Sequence, residues 1–201
     1  MNLFFDVETS GKFDFKSGPT AEHQPHLVQL AALLIAEDGN TIAAAMNFIV
    51  EPQDWEISKE VENIHHISTT LAKSVGIPRK VVLAAFNHMS KNARIICAHN
   101  LNFDFNVMLS QYAREKQQHR MGNARQVCTM LASAPVLKLP KPFVPRGPVK
   151  PGDDWKWPTL AEAYAHFHNG ETFSGAHNAQ SDVMALVAVY NALVKGKHIT
   201  P

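Results

Sequence analysis

Two carboxylates stand two residues apart near the beginning of the chain, as Asp6 and Glu8. Residues two apart in a β-strand point to the same face, so the pair would lie side by side while Val7 packs behind it. Two such anions repel each other, and a divalent cation relieves the repulsion because magnesium and manganese prefer oxygen ligands. The apolar pair Phe4 and Phe5 favours a buried strand that ends in these acids. Taken alone, the pattern also fits an exposed acidic strand end.

A second polar segment begins with His99 and Asn100 and ends with Asp104. The apolar run 94–98 predicts a strand that delivers this segment to an edge of a sheet. The periodicity that follows predicts a helix with Asp104 in its first turn. Asp104 is therefore a candidate third ligand. A carboxylate also stabilises a helix N-terminus without any metal, and His99 and Asn100 also fit a role in bonding the loop backbone.

A third polar segment, at residues 177–182, opens a strongly apolar helix. Capping by Asn178 or Ser181 explains part of this cluster but gives no reason for His177 or Asp182. A histidine on the loop before such a helix can reach into a cleft while Asp182 stays fixed on the helix. The ordinary histidine pKa of about 6.5 suits proton transfer near neutral pH. The alternative for His177 is a loop histidine that only caps the helix.

The elements that position these segments follow from apolar periodicity and turn residues. Strands are predicted at 3–8, 26–36 and 43–50, and the turn at 38–40 joins the last two as a hairpin. Helices are predicted at 58–65, from 68 onward, and at 78–90, 103–115, 160–167 and 182–194, with short strands at 94–98 and 126–130. This order predicts an α/β fold with a mixed central sheet of about five strands, the first three antiparallel, flanked by helices.

Residues 138–158 differ from the rest because they hold six of the twelve prolines and lack periodicity. This composition predicts an extended surface insertion. Its basic residues are Lys138, Lys141, Arg146, Lys150 and Lys156, and its aromatic residues are Trp155 and Trp157. The composition allows contact with a nucleic-acid backbone, stacking on a strand, recruitment of a protein partner, or a solvated spacer.

Composition narrows the class of protein. The 201 residues suit one domain, 1–201, and a formal net charge of +1 gives no global basic field. An enzyme that processes nucleic-acid ends needs only a local basic rim. Cys97 and Cys128 lie in apolar runs and are expected to be buried thiols. No signal peptide is recognised and the apolar runs are too short for a membrane span, so we expect an intracellular, cytoplasmic protein with no membrane partner.

Together the three segments resemble, in order, spacing and placement, the exonuclease motifs of the DEDDh (DnaQ-like) family. The matching residues are the run 5–11, His99 and Asn100 with Asp104, and His177 with Asp182. The run 63–68 is similar to the family's IHGI segment, and the resemblance spans about residues 1–195. A related subgroup has a tyrosine three or four residues before the final aspartate. This chain has Asn178 and Ala179 there, which favours the histidine form.

The resemblance implies a ribonuclease H-like fold and a 3′–5′ exonuclease that hydrolyses single-stranded nucleic acid and releases nucleoside 5′-monophosphates. It also implies two divalent cations, Mg²⁺ or Mn²⁺, with Asp6 shared between them and His177 as general base. The implied ligands are Asp6, Glu8, Asp104 and Asp182. DNA is somewhat favoured and RNA stays open, because metal and phosphate contacts do not read the 2′-OH. The alternative functions are a non-catalytic nucleic-acid-binding or adaptor module and an oligoribonuclease-like enzyme. For an exonuclease, proofreading and DNA repair are the candidate biological roles.

The resemblance also suggests contacts with substrate. Thr9, Ser10 and Gly11 match the stretch of the family that touches the terminal nucleotide. Asn100 and Phe103 are expected to line the same cleft, and His65 and His66 to lie near it, with a structural role for at least one of the two histidines. Phe13 either stacks on a base or packs in the core.

Overall fold

The computed structural model describes residues 1–141 and 155–201. Its centre is a five-stranded sheet in the order β3-β2-β1-β4-β5. Strands β1 (Asn2–Thr9), β2 (Leu27–Ile35) and β3 (Ile42–Ile49) pair antiparallel. Strand β4 (Ile95–Ala98) pairs parallel with β1, and β5 (Arg125–Cys128) pairs parallel with β4. The sheet confirms the predicted mixed α/β architecture, including the antiparallel arrangement of its first three strands.

The turn between β2 and β3 closes where the sequence predicts it. One carboxylate oxygen of Asp38 accepts hydrogen bonds from the backbone N–H groups of Asn40 and Thr41, at 3.0 and 2.9 Å. Gly39 adopts a φ of 75°, a left-handed conformation that glycine enters without steric cost. The turn is therefore held by residues close in sequence, which is why its position could be predicted.

Helices cover the sheet. In chain order they are α1 (Lys59–His65), α2 (Thr69–Val75), α3 (Arg79–Lys91), α4 (Leu101–Arg114), α5 (Thr129–Leu137), α6 (Leu160–Phe167) and α7 (Ala179–Lys195), with a 3₁₀ turn at Met121–Asn123. Helix α6 has the predicted bounds. Helices α4 and α7 begin two and three residues earlier than predicted, so Asp104 and Asp182 both lie within a first turn.

The predicted strand at 126–130 ends early. Strand β5 stops at Cys128, and α5 begins with Thr129, whose side chain is fully buried. An apolar run of this length does not by itself distinguish the end of a buried strand from the start of a buried helix. The change of element at Thr129 therefore depends on packing that the local pattern does not contain.

Strand β1 separates two layers of the hydrophobic core. Alternate residues from Leu3 to Val7 pack against α3 and α4. Phe4 points to the opposite layer, where its ring meets the ring of Tyr190 on α7 edge-on, with centroids 4.9 Å apart. Burial of an aromatic or aliphatic side chain contributes about 1.5–3 kcal/mol, so these rows hold β1 firmly between the helices. The two acids of β1 continue the row of Phe4 and therefore face α7.

Most of the Pro-rich segment, residues 142–154, lies outside the described residues, so the predicted roles of 138–158 stay predictions. Its flanks meet: the N–H of Lys156 donates to the carbonyl of Leu139 at 3.0 Å. The ammonium group of Lys156 also lies 2.5 Å from a carboxylate oxygen of Glu162 on α6.

The two cysteines differ in burial. Cys97 is buried as expected, whereas Cys128 is partly exposed, and both are free thiols. Within the described residues, no helix is both long enough and apolar enough to span a membrane.

Candidate active site

Asp6 and Glu8 lie near the C-terminal end of β1, on the face that α7 covers. Just after them the pairing with β2 shifts register between Glu8 and Thr9, a bulge that turns the strand end out of regular pairing. After this shift, Ser10 is bound to His26 on the loop before β2. Its N–H donates to the carbonyl of His26 and its Oγ accepts the N–H of His26, both at 2.9 Å. The strand therefore ends at a fixed corner, with both acids held directly before it.

Asp182 forms a carboxylate triad with these two residues. It lies in the first turn of α7 with its side chain buried. One carboxylate oxygen from each of Asp6, Glu8 and Asp182 lies within 4.8 Å of the others. Oδ2 of Asp182 also accepts the backbone N–H of His177 at 3.0 Å, which links the carboxylate to the loop before the helix.

Asp104 lies beside this triad and is bound to the same strand. Its side chain is only 3% exposed, and its Oδ1 accepts the N–H of Val7, the residue between the first two acids, at 3.2 Å. Strand β4 pairs with β1 only as far as Phe4, so the edge of β1 beyond Phe4 is left for other partners. Helix α4 follows β4 directly and brings Asp104 to that edge.

Burial raises the pKa of all four carboxyl groups. The pKa of Asp6 lies well above its usual range because of burial and then because of the charges of Asp104, Asp182 and Glu8. Burial also places the pKa of Asp104 well above its usual range. Burial and the charge of Asp182 raise the pKa of Glu8 to about 7, and burial raises that of Asp182 to about 6.

The cluster fits a hard divalent cation. Within the described residues, none of the four carboxylates forms an ion pair with a lysine, arginine or histidine. Buried anions without partners destabilise a fold, and the donors here are carboxylate oxygens, the ligands that magnesium and manganese prefer. The charges of Asp104, Asp182 and Glu8 all act on Asp6, so Asp6 lies among the other three carboxylates.

His177 lies at the exposed rim of the carboxylate cluster. Its backbone adopts a φ of 66°, a left-handed conformation, while its N–H is bound to Asp182. The ring is exposed and makes no hydrogen bond within residues 1–141 and 155–201. The backbone of His177 therefore braces the first turn of α7 as in the capping alternative, and its imidazole is left available for proton transfer.

An open cleft of about 410 Å³ begins at Glu8. Four predicted substrate-binding residues line it, namely Thr9, Ser10, Gly11 and Phe103. Thr9 donates its hydroxyl to the carbonyl of Gly11 at 2.7 Å, which stiffens the corner after β1. A Cβ at Gly11 would meet no protein atom within 4 Å, so the cleft is open beside this residue.

Two other predicted substrate-binding residues do not line this cleft. Phe13 is 7% exposed and packs in the main core, so the expectation that it stacks on a base is wrong and the packing alternative is correct. Asn100 has a φ of 69° and starts α4, without a side-chain hydrogen bond to the helix. The loop between β1 and β2 is irregular, so alternation could not show which of its aromatic rings faces inward.

The family model that matches the sequence is described as Exonuclease, the RNase T family, and the match covers residues 3–190. That range includes all three predicted motifs. The chain belongs to this exonuclease family. The resemblance to DEDDh (DnaQ-like) exonucleases is thereby confirmed. No curated protein matches the sequence at a significant level.

Solved structures of exonuclease I share the fold. The zinc-bound E. coli exonuclease I complex with single-stranded DNA superposes with a TM-score of 0.72 at 21% identity, over 97% of this chain and 40% of that one. E. coli exonuclease I with a dT13 oligonucleotide gives 0.71 at 22% identity, over 96% and 40%. Exonuclease I from Methylocaldum szegediense gives 0.66 at 17% identity, over 96% and 40%. The chain thus spans about 40% of the length of these proteins, and the likeness confirms the ribonuclease H-like fold.

Helix α1 and its N-cap residue Ser58 supply cleft residues that the three motifs did not single out. Ser58, Glu60 and Ile64 line the cleft opposite the end of β1, together with His65. The similarity of the run 63–68 to the IHGI segment was a signal for Ile64 and His65 but not for Ser58 and Glu60. In that run His66 stands where the family segment has glycine, and its φ of 61° is in the left-handed region that glycine favours. His65 lines the cleft while its Nδ1 accepts the N–H of Ile67 at 3.1 Å.

Gln29 on β2 was also missed by sequence reasoning. Its side chain is 3% exposed, its Oε1 accepts the N–H of Ala179 at 3.3 Å, and its Nε2 donates to Asn47 Oδ1 on β3 at 2.8 Å. Asn47 in turn donates to Gln180 Oε1 at 2.9 Å. These bonds attach the first turn of α7, which carries Asp182, to two strands of the sheet. A glutamine in an apolar strand pattern was the only local signal.

His99 ties the second exonuclease motif to the last third of the chain. Its Nε2 lies 3.0 Å from the carbonyl of Pro158, and its Nδ1 lies 3.0 Å from Oγ1 of Thr129. Burial lowers the pKa of His99, which favours the neutral ring, and a hydrogen bond to the carbonyl oxygen of Pro158 requires a proton on Nε2. His99 therefore forms a hydrogen bond to the backbone of a loop, which was one of its two predicted roles. The loop is the segment before α6.

Proposed function

We propose that the chain is a 3′–5′ exonuclease that acts on single-stranded nucleic acid, with DNA favoured, and releases nucleoside 5′-monophosphates. The observation that carries this proposal is the carboxylate triad at the head of an open cleft, with a fourth carboxylate beside it. Membership of the exonuclease family supports the reaction class. The similar structures include exonuclease I bound to single-stranded DNA and to dT13 and dA16 oligonucleotides, which supports DNA as the first substrate to test.

The four carboxylates would hold two divalent cations, Mg²⁺ or Mn²⁺. Asp6, Glu8 and Asp182 offer one set of oxygens, and Asp104 with Asp6 offers a second. Two such cations supply charge neutralisation at the attacked phosphate and lower the pKa of the attacking water. The hydrogen bonds from Val7 to Asp104 and from His177 to Asp182 keep two of the carboxylates oriented before any cation binds.

His177 takes the proton from the attacking water in this proposal. Its ring is exposed and without a hydrogen bond in the described chain, so the ring is free to turn toward the cleft. The stiff corner from Thr9 to Gly11 would hold the terminal nucleotide, because it borders the carboxylates and leaves space at Gly11. A positioned base of this kind contributes about 10²–10⁴-fold to the rate.

The decisive experiment uses 5′-labelled single-stranded DNA and RNA of one sequence with magnesium or manganese. We expect a ladder of progressively shorter labelled products from DNA, and from RNA if the 2′-OH is tolerated. Immediate release of a labelled mononucleotide would indicate the opposite polarity. Asp182→Asn is the matched inactive control, because asparagine keeps an oxygen that can accept the N–H of His177.

No observation favours the non-catalytic binding module, since all four acids and the histidine are present. Binding of either nucleic acid without cleavage, by folded protein with both metals tried, would nevertheless establish that function instead. An oligoribonuclease-like enzyme would be recognised by faster cleavage of two- to five-residue RNA than of longer strands. The intracellular location expected from the sequence stays a prediction.

A further inference from the structure

The loop between β1 and β2, residues 10–26, carries an exposed aromatic ring three positions after Lys12, which lines the cleft. Phe15 is 56% exposed. Its ring centroid lies 5.1 Å from that of Phe13, at an angle of 53°. Phe13 is buried in the main core, and its ring contacts one side of the Phe15 ring. The rest of the Phe15 ring is exposed to solvent.

This loop is internally cross-linked. The side-chain amide of Gln24, which is buried, accepts the N–H of Asp14 at 3.0 Å and donates to the carbonyl of Asp14 at 2.8 Å. The carboxylate of Asp14 accepts the N–H of Lys16 at 2.9 Å and the hydroxyl of Ser17 at 2.8 Å. Phe15 lies between the residues that these bonds hold, so its backbone position is fixed.

The loop is also attached to the helix that carries Asp104. The guanidinium group of Arg114 on α4 donates to the carbonyls of Pro25 at 3.0 Å and Glu22 at 2.9 Å. Gln111 on α4 donates to the same Pro25 carbonyl at 3.0 Å. The position of Phe15 is therefore coupled to the position of the carboxylates through one rigid helix.

Two lysines bracket the exposed ring. Lys12 lines the cleft that begins at Glu8, and Lys16 follows Phe15 directly. Both lysines are exposed, and neither forms an ion pair within the part of the chain that the structure describes. The one carboxylate between them, Asp14, is occupied by the loop's own hydrogen bonds and by His23 at 3.2 Å. Lys12 and Lys16 therefore present two positive charges to a phosphate backbone, beside a cleft that Glu8 and Glu60 also line.

We propose that Phe15 is a stacking platform for a base upstream of the terminal nucleotide, with Lys12 and Lys16 against the flanking phosphates. This inference rests on the proposed function and names how the substrate is held. A single exposed apolar side chain is ordinary on a protein surface. Here the ring lies on a braced loop, three positions after Lys12 of the cleft and directly before Lys16. An exposed aromatic ring beside basic residues is a combination that single-stranded nucleic-acid sites use.

The chain geometry gives the position of the stacked base. Phe15 stands three positions after Lys12, a separation of at most about 10 Å. Stacked nucleotides rise about 3.4 Å each, so the platform lies within about three nucleotide steps of the part of the cleft that Lys12 lines. We expect the stacked base to be about the third from the 3′ end, so that a dinucleotide, which lacks this base, does not use the platform.

The binding test uses the Asp182→Asn background with magnesium, so that oligonucleotides survive. A dT decamer carries 2-aminopurine at the second to the sixth position from its 3′ end, since stacking on an aromatic ring quenches that base. We expect the strongest quenching near the third position. Phe15→Ala should remove that quenching and weaken decamer binding about 5- to 10-fold, the lower part of the range for base–aromatic stacking, while Phe15→Tyr retains both.

The matched control is Ile42→Ala. Ile42 is 51% exposed and pairs with Ile35 at the opposite end of the sheet from Glu8. We expect this variant to bind the decamer like its parent. In the active protein, Phe15→Ala should raise the KM for the decamer by a similar factor without changing kcat, and should leave the KM for a dinucleotide unchanged.

A salt titration tests the two lysines independently. For each phosphate of a single strand that the protein no longer neutralises, the slope of log K against log salt should decrease by about 0.7. Lys12→Ala and Lys16→Ala should each show this reduction. Lys195→Ala should not, because Lys195 ends α7, about 20 Å along the helix from Asp182.

The outcomes separate this proposal from the proposed function. Cleavage and tight decamer binding that are unchanged by Phe15→Ala, with no position-dependent quenching, would overturn the platform and leave the exonuclease standing. A protein that neither cleaves nor binds any nucleic acid would overturn both. Quenching that disappears with Phe15→Ala and returns with Phe15→Tyr would establish the platform.

Discussion

At the scale of single residues, the backbone and the side chain of His177 have different roles. The backbone N–H is bound to Asp182, and the imidazole ring is exposed. A non-glycine residue in the left-handed conformation costs about 1–2 kcal/mol, and such strain persists where the surroundings require it. Here the N–H of His177 is bound to Asp182, so the strained backbone orients a metal-ligand candidate while the ring stays exposed. The backbone and the side chain of His177 can therefore be tested separately.

His177→Asn separates them, because asparagine tolerates the left-handed conformation whereas alanine adds strain. We expect kcat to fall by about 10²–10⁴-fold and the thermal midpoint to change little, since the N–H bond to Asp182 remains. The measurements are steady-state cleavage of labelled DNA and thermal unfolding in the same buffer. A kcat within threefold of the parent would rule out His177 as the general base.

At the scale of elements, the cluster depends on how α7 docks against the sheet. Asp182 is held by the first turn of α7, and that turn is bound through Gln29 to β2 and through Asn47 to β3. Glu8 and Gln29 are directly paired across β1 and β2. The distance between Glu8 and Asp182 is therefore set by a short path of hydrogen bonds through neighbouring residues.

Gln29→Ala should loosen this docking. The substitution leaves the buried N–H of Ala179 without its acceptor, so we expect the free energy of unfolding to fall by about 1–3 kcal/mol. We also expect a severalfold loss of kcat, because Asp182 is no longer held at one distance. Denaturant unfolding and steady-state kinetics measure the two effects.

Gln180→Ala is the matched control for Gln29→Ala. It removes only the exposed bond to Asn47 and should change stability by less than about 0.5 kcal/mol. Equal effects of the two substitutions would show that the buried bond from Gln29 does not position α7.

At the scale of the whole molecule, four buried or half-buried acids are brought together at the C-terminal end of the central strand β1. Without cations this arrangement opposes folding, because burial and mutual repulsion disfavour the charged forms. The two core layers on either side of β1 must offset that cost. Removal of one charge should therefore stabilise the metal-free protein while it damages the metal site.

Glu8→Gln tests this balance in the presence of EDTA. The folded-state pKa of Glu8 is about 7 against an ordinary 4.5, so the folded protein binds this proton more tightly than the unfolded chain does. Wild-type stability should therefore decline relative to the variant as pH rises from about 4.5 to about 7, and the difference should be constant above that window. We expect the variant to unfold a few degrees higher at pH 8.

Addition of metal should reverse the order of the two thermal midpoints, so that the wild-type protein unfolds at a higher temperature than Glu8→Gln. Manganese should raise the thermal midpoint of the wild-type protein more than that of Glu8→Gln, because the variant has lost one carboxylate ligand. A wild-type midpoint that is insensitive to both EDTA and manganese would contradict a metal site at this cluster.

Local pattern explains which parts of the fold could be predicted. The alternation around Asp6 and Glu8, the bonded turn at Asp38 and the capping box of α6 at Thr159 all involve residues within a few positions of one another. The same holds for the approximate bounds of the helices that carry Asp104 and Asp182. The sequence by itself thus determined the order of the strands and of the described helices other than α5, the shared face of the first two acids and the family.

Only the tertiary structure decided how these parts meet. The bond from Val7 to Asp104 joins residues 97 positions apart, and the bond from Ala179 to Gln29 joins residues 150 positions apart. Likewise Phe13 is buried and Phe15 is exposed because one packs against the core and the other does not, a choice that two aromatic residues on an irregular loop do not encode locally. Contacts between distant segments depend on the packing of whole helices against the sheet, and no local periodicity specifies that packing.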